Sequence, residues 1–326
     1  MASPRQDWLI GVDVGGTKVA AGAVDPRDGA VTLRREQPTL PERGPRAVVA
    51  DIVSLVGTIA ETMRNEGGEP GAIGIGVPEL VDAEGRIRSS HLLAWDLVPV
   101  HERVAAFAPT RIESDVRAAA LAEATFGAGR DFELFAYVSI GTGISSAVVQ
   151  DGVPLVGARG GALVLSSGTL GVPCPECSNW TEFVLETYAS GPALARRYAE
   201  ATGQPVADAH VVAAAANEGE PEAARIVDSA ADALGSALGW LVNVIDPEAI
   251  VVGGGLGLAP GRYRDRLVKA TRVHIWNPGA RELPFVSASL GGDSGLIGAA
   301  LSAYRRVAKH DHHLERSLAT MIGERR

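Results

Sequence analysis

LIGVDVGGTKVAAGAVD (residues 9–25) is two apolar runs joined through a short glycine turn. Runs of this length, broken at Gly15-Gly16, predict a β-hairpin rather than a helix. The same grammar returns at FAYVSIGTGIS (135–145) and SAVVQDG (146–152), where a second pair of strands flanks a second glycine turn. A chain whose halves each open on such a hairpin predicts an α/β protein of two lobes. Ligands of α/β sheets sit where strand ends face a crevice.

The remaining elements fit that frame. VTLRREQ (31–37) alternates apolar and polar residues and reads as a third strand. Residues 46–65 repeat apolar positions every three or four residues, a helix; AIGIGVP (72–78) is a buried strand ending at proline. RIESD (111–115) is a strand leading into the helix DVRAAALAEATFG. Helices are expected at about 181–201 and 221–244, followed by the strand AIVVGGG (249–255) and a final helix within 290–306. The boundary is expected near residue 115: residues 1–115 with about 293–326 form a smaller lobe, and 116–292 a larger one.

Bulk properties narrow the function. With a net charge of −9 across 326 residues, a general nucleic-acid binder is not expected, because neutralising phosphates needs clustered Lys and Arg. The basic C-terminal residues read as a solvated helix end, and HDHH (310–313) as part of a solvated tail. No apolar window reaches a bilayer span of about 20 residues, and the N-terminus lacks the pattern of a leader peptide. With two cysteines, Cys174 and Cys177, a cytoplasmic protein without disulfides is expected.

Three glycine clusters carry chemistry. In DVGGTK (13–18), Gly15 and Gly16 let backbone N–H groups approach an anion, Thr17 adds a hydroxyl, and Asp13 is placed to hold Mg²⁺ through water. A plain hairpin turn fits the same residues. Gly141, Thr142 and Gly143 occupy the matching turn, and Gly253, Gly254 and Gly255 follow a very apolar strand where a flat ring can lie on bare backbone. Asp115 stands at a strand end that begins a helix, which suits an N-cap and equally a general base for an acceptor hydroxyl.

Together, LIGVDVGGTKVAAGAVD, IGIGVP, YVSIGTGIS, GARGGA, ETYASG, NVIDPEAIVVGGG and DSGLIGAA resemble the ROK family in order and spacing, over about residues 8–306. The resemblance implies an actin-like (ribonuclease H-like) two-lobed ATPase fold and transfer of the γ-phosphoryl of ATP, with Mg²⁺, to a sugar hydroxyl. It assigns Asp13, Gly15, Gly16, Thr17 and Lys18 to the first phosphate motif, and Gly141, Thr142 and Gly143 to the second. Gly253, Gly254 and Gly255 fall on the adenosine motif, and Asp115 on the catalytic base. Family repressors carry a DNA-binding segment before the first motif; about eight residues precede it here, so a repressor is not expected. A homodimer is implied by resemblance alone, and the donor, ATP or polyphosphate, stays open.

The departures from the family cluster on the acceptor side. Ser114 replaces a sugar-contacting Asn, Arg117 a second Asn, and His91 the Asn of the N-L-x-x-W segment. Val164 replaces a sugar-binding Glu, Ser167 a His, and Glu79 a glycine, while Glu186 keeps the last acidic position. That His is also a zinc ligand in the family. With only Cys174 and Cys177 left of its cysteines, structural zinc would need substitutes such as Glu176 or Glu182. Lost hydroxyl partners lower selectivity for glucose. The expected enzyme is therefore a kinase for the primary hydroxyl of a hexose-like acceptor, an amino sugar or a carbocyclic cyclitol of secondary metabolism. Glu79 or Glu186 would pair with an amine. A glucokinase that has drifted, or a non-catalytic sugar or nucleotide sensor, are the alternatives.

Overall fold

The computed structural model describes residues 8–173 and 180–308. In chain order these form β1 (Leu9–Val14), β2 (Lys18–Val24), β3 (Val31–Pro38), α1 (Pro45–Asn65), β4 (Ile73–Val77), α2 (Val100–Val104), β5 (Thr110–Ser114) and α3 (Asp115–Phe126). Next come β6 (Leu134–Ile140), β7 (Ile144–Gln150), β8 (Val153–Pro154), β9 (Thr169–Pro173), β10 (Trp180–Val184), α4 (Leu185–Ala189) and α5 (Gly191–Thr202). The chain continues through α6 (Ala209–Asn217), α7 (Pro221–Ile245), β11 (Ala249–Gly253), α8 (Gly255–Leu258), α9 (Arg262–His274), β12 (Phe285–Ser287) and α10 (Ser294–Ala308).

The chain divides into two units. One comprises the described parts of 1–131, 149–162 and 289–326, the other 132–148 and 163–288. In the first, the sheet order is β3-β2-β1-β4-β5, with β1 antiparallel to β2 and parallel to β4. The central strands β1 and β4 are almost wholly buried, which is why they read as unbroken apolar runs. Helix α1 turns Val48, Val49, Ile52, Val56, Ile59 and Met63 into the core. Helix α10 lies directly on β1 and β4: a Cβ on Gly74 would overlap the carbonyl oxygen of Ala299, so only glycine permits this approach.

Two expectations are corrected. The boundary falls at Asp131 rather than near residue 115, and the unit carrying the first motif is the larger. Helix α3 stays with that unit because it packs against α10, where a Cβ on Gly298 would overlap the carbonyl of Ala118. Residues 181–184, expected as helix, form strand β10, antiparallel to β9; the helical stretch after them is broken at Ser190, whose backbone is extended.

In the second unit β11 is parallel to both β6 and β12, and the strand order within the unit is β12-β11-β6-β7. Helix α7 buries a stripe from Ala223 to Val242 in that unit's core. Among the described residues, no helix is long and apolar enough to cross a membrane.

Candidate active site

The first glycine turn is braced from the side. Gly15 N–H donates to the Lys18 carbonyl at 2.9 Å. Thr39, fully buried, donates its hydroxyl to the Gly15 carbonyl at 2.6 Å and its N–H to the Thr17 carbonyl at 3.0 Å. Nothing among the described residues demands glycine at 16: its φ is not positive, and the nearest of their atoms to an added Cβ is Leu92 Cδ1 at 3.9 Å. A turn left bare where the protein itself has room is the shape a phosphate needs. Thr17 and Lys18 are exposed on it; Lys18 pairs with Glu36 at 3.2 Å, Glu36 with Arg34 at 2.8 Å, and Arg34 with Asp293 at 2.8 Å.

Two half-buried carboxylates lie behind this turn. Asp13, near the end of β1, sits against Gly295 in the first turn of α10; a Cβ there would come within 2.8 Å of its carboxyl carbon. Burial pushes its pKa up to about 6, with Lys18 and Arg34 opposing and Asp293 adding to the rise. Its oxygens accept no hydrogen bond from the described residues, so they remain available to an ordered water or cation. Asp115 begins α3. Its neighbour Ser114, not Asp115, is the N-cap, and among the described residues Asp115 accepts only the adjacent Val116 N–H, on one oxygen, at 2.6 Å. Burial pushes Asp115 up to about 7, the Asp13 charge adds to this, the Val116 N–H and Arg117 oppose, and Glu79 adds again. A carboxylate poised near neutrality with a free oxygen can accept a proton.

The substituted acceptor-side residues are spent differently than their types suggest. Glu79, 4% exposed, accepts four hydrogen bonds: from Ser89 Oγ, from the N–H groups of His91 and Leu92 at 2.7 Å each, and from Trp95 Nε1 at 3.1 Å. Burial alone would raise its pKa; these donors outweigh it and hold the carboxyl below its ordinary value. His91 itself is exposed. Ser114 is buried. Arg117 is buried too, bound to Glu113 and donating to the carbonyls of Gly160 at 2.9 Å and Val81 at 2.5 Å.

In the second unit, Gly141 N–H donates to the Gly143 carbonyl at 2.9 Å, and Gly191 N–H to the Gly141 carbonyl at 2.8 Å. Glu186 secures this turn by accepting the Ile144 N–H at 2.8 Å, and a Cβ on Gly143 would lie 2.7 Å from its carboxylate. Thr142 stays exposed. Packing alone accounts for Gly253 and Gly254, whose added Cβ atoms would overlap Tyr137 Oη and the Ile140 carbonyl; Gly255 meets nothing nearer than His210 at 3.6 Å. Val164 and Ser167 are exposed, and Leu163 before them holds φ 60°, a left-handed backbone. Cys174, Glu176, Cys177 and the HDHH segment lie outside the described residues; Glu182, on β10, is exposed.

Sequence reasoning missed Thr39 and Glu113. Thr39 lies 22 positions beyond the turn in a stretch with no motif, and no local signal marks it.

These α/β units, each with its own glycine turn, have the actin-like ATPase fold. The ROK family model matches residues 9–306, and the chain belongs to the ROK family. It is 31% identical over 320 residues to a glucokinase of Thermotoga maritima, covering 92% of this chain and 98% of that one. It is also 31% identical over 311 residues to the N-acetylgalactosamine kinase AgaK of a Shewanella species, covering 89% and 95%. A Streptomyces griseus ROK glucokinase solved with glucose and AMPPNP superposes with a TM-score of 0.76 at 28% identity, covering 91% of this chain and 99% of that one.

Proposed function

We propose that this chain is an ATP-dependent kinase that phosphorylates a primary hydroxyl of a hexose-like acceptor other than ordinary glucose. One observation carries the reading: Asp115, half-buried and pushed up to about 7, keeps an oxygen without a partner among the described residues, in the unit that also holds Asp13 and the bare glycine turn. Asp115 takes the proton of the acceptor hydroxyl as its oxygen bonds to the γ-phosphorus and the bond to the β-phosphate oxygen breaks, releasing ADP. Each glycine turn, at 15–18 in one unit and at 141–143 in the other, is suited to phosphate oxygens, and Gly255 suits a flat ring. The Asp13 carboxylate fits an outer-sphere ligand of Mg²⁺, which when bound neutralises phosphate charge.

The acceptor is inferred from the substituted residues. Relatives equally similar to this chain are named a glucokinase and an N-acetylgalactosamine kinase, so overall similarity does not choose the sugar. His91, Ser114, Val164 and Ser167 stand where the family pairs sugar hydroxyls, and Val164 accepts no hydrogen bond. Glu79, saturated from within the chain, is not free to pair with an amine, and Glu186 already holds the Ile144 N–H. A seven-carbon cyclitol, or an amino sugar without a free ammonium, is therefore favoured. A homodimer is part of the proposal, read by sedimentation velocity.

Mg²⁺-ATP offered with a panel of hexoses, amino sugars and cyclitols, with ADP release followed, tests the reading. Turnover on a panel acceptor is expected. No turnover on any member contradicts it and leaves the sensor role.

A further inference from the structure

The segment Ser89–Trp95 (SHLLAW with its flanking residue) has no regular strand or helix before Trp95, yet it carries His91 and sets Leu92 beside the bare glycine of the first phosphate turn. A loop in that role must be held, and its own backbone supplies few bonds. Glu79 does the holding. Its two carboxylate oxygens take two donors each: Ser89 Oγ and the His91 N–H on one, the Leu92 N–H and Trp95 Nε1 on the other. The four donors span the whole segment from end to end. Trp95 is itself buried among core residues, so the clasp ties the loop to the packed interior of the unit.

The rest of the family residue set makes this informative. A glycine after GVP supplies no acceptor, so a loop seated this way needs the carboxylate. The amide of glutamine would not serve as well: whichever way it turns, its NH₂ group faces at least one backbone or indole N–H, replacing a hydrogen bond with two opposed donors. Because every acceptor position of Glu79 is filled from within the chain, the group orients the loop without itself touching an acceptor.

We infer that Glu79 is a positioning residue for the acceptor side: it fixes the 89–95 loop, and through it the place of His91, so that the loop is a preformed wall of the acceptor pocket. This rests on the kinase reading above.

The test uses the full chain and two readouts. In hydrogen–deuterium exchange without ligand, the His91 and Leu92 amides are protected in the wild type. In Glu79→Gln they exchange at least about tenfold faster, while the Gly15 amide, bonded to Lys18, is unchanged. In steady-state kinetics with ATP and the panel acceptor that is turned over best, the acceptor KM rises about tenfold or more and the KM for ATP stays within about twofold. Ser89→Ala, which removes one bond of the four, gives a smaller change in the same direction and serves if Glu79→Gln fails to fold. Unchanged exchange at 91 and 92 overturns the inference, as does faster exchange with an unchanged acceptor KM, or a parallel rise in both KM values. If no panel acceptor is turned over, the kinase reading itself fails and this inference falls with it. If turnover occurs without the KM split, only this inference falls.

Discussion

At the scale of single residues, the proposed chemistry rests on Asp115. General bases contribute about 10²–10⁴-fold, so Asp115→Asn is expected to lower kcat by about a thousandfold while AMPPNP binds within about twofold of wild type, measured by calorimetry. Its carboxyl must be ionised to accept a proton. With the pKa raised to about 7, kcat/KM is expected to climb as pH rises from 5 and to level off above about 7. A profile flat from pH 5 to 8 would remove Asp115 from the role. The residue was legible in the sequence as a strand-end carboxylate, but its two readings, cap or base, separate only in three dimensions: Ser114 takes the cap position and leaves Asp115 an oxygen without a partner among the described residues. Glu79 was legible as a departure and misread in kind. Its charge faces inward to backbone and indole donors, and no sequence pattern distinguishes that from a carboxylate awaiting a ligand.

At the scale of elements, strands with both faces covered and turns made of glycine announce themselves, which is why β1, β2, β4, β6, β7 and β11 could be read from the chain. Elements whose pattern is set by partners could not. Helix α9 buries only Tyr263, Leu267, Ala270 and Thr271, and its charged remainder pairs with α7 through Arg262–Asp228 and Arg266–Asp232. Strand β10 exists because β9, the strand just before it, pairs with it, a fact absent from TEFV alone. Two predictions belong here. Gly74→Ala would set a methyl into the Ala299 carbonyl and force α10 off the sheet; a loss of about 3 kcal/mol or more is expected from urea midpoints. Thr39→Val keeps the buried volume and removes the hydroxyl that holds the Gly15 carbonyl; the KM for ATP is expected to rise about fivefold with the acceptor KM unchanged, read by initial rates.

At the scale of the whole molecule, the site costs stability. Asp13 and Asp115 are both raised by burial, so the folded chain holds protons that the unfolded chain releases between about pH 4 and 7. Their contribution therefore worsens as pH rises through that window and is fully unfavourable above it. Asp25, lowered by Arg27, and Asp82, whose bonds from Arg86 and Arg88 outweigh its burial, act oppositely: their contribution is present above the unfolded value and is lost in acid. Asp115→Asn is accordingly expected to melt higher than wild type at pH 8 and to lose most of that advantage at pH 5, by calorimetric scans. The division of the chain was only partly legible at this scale. A boundary at residue 115 follows from the motif order, whereas the one at Asp131 follows from the α3–α10 contact, which the alanine-rich α3 and Gly298 of α10, distant in sequence, create only on folding. The measurement that bears most directly on the central claim is the ratio of kcat/KM for glucose to that for each amino sugar and cyclitol, taken with saturating Mg²⁺-ATP. A higher value for at least one non-glucose acceptor is expected; a chain that prefers glucose over every other member would contradict the reading of its acceptor side.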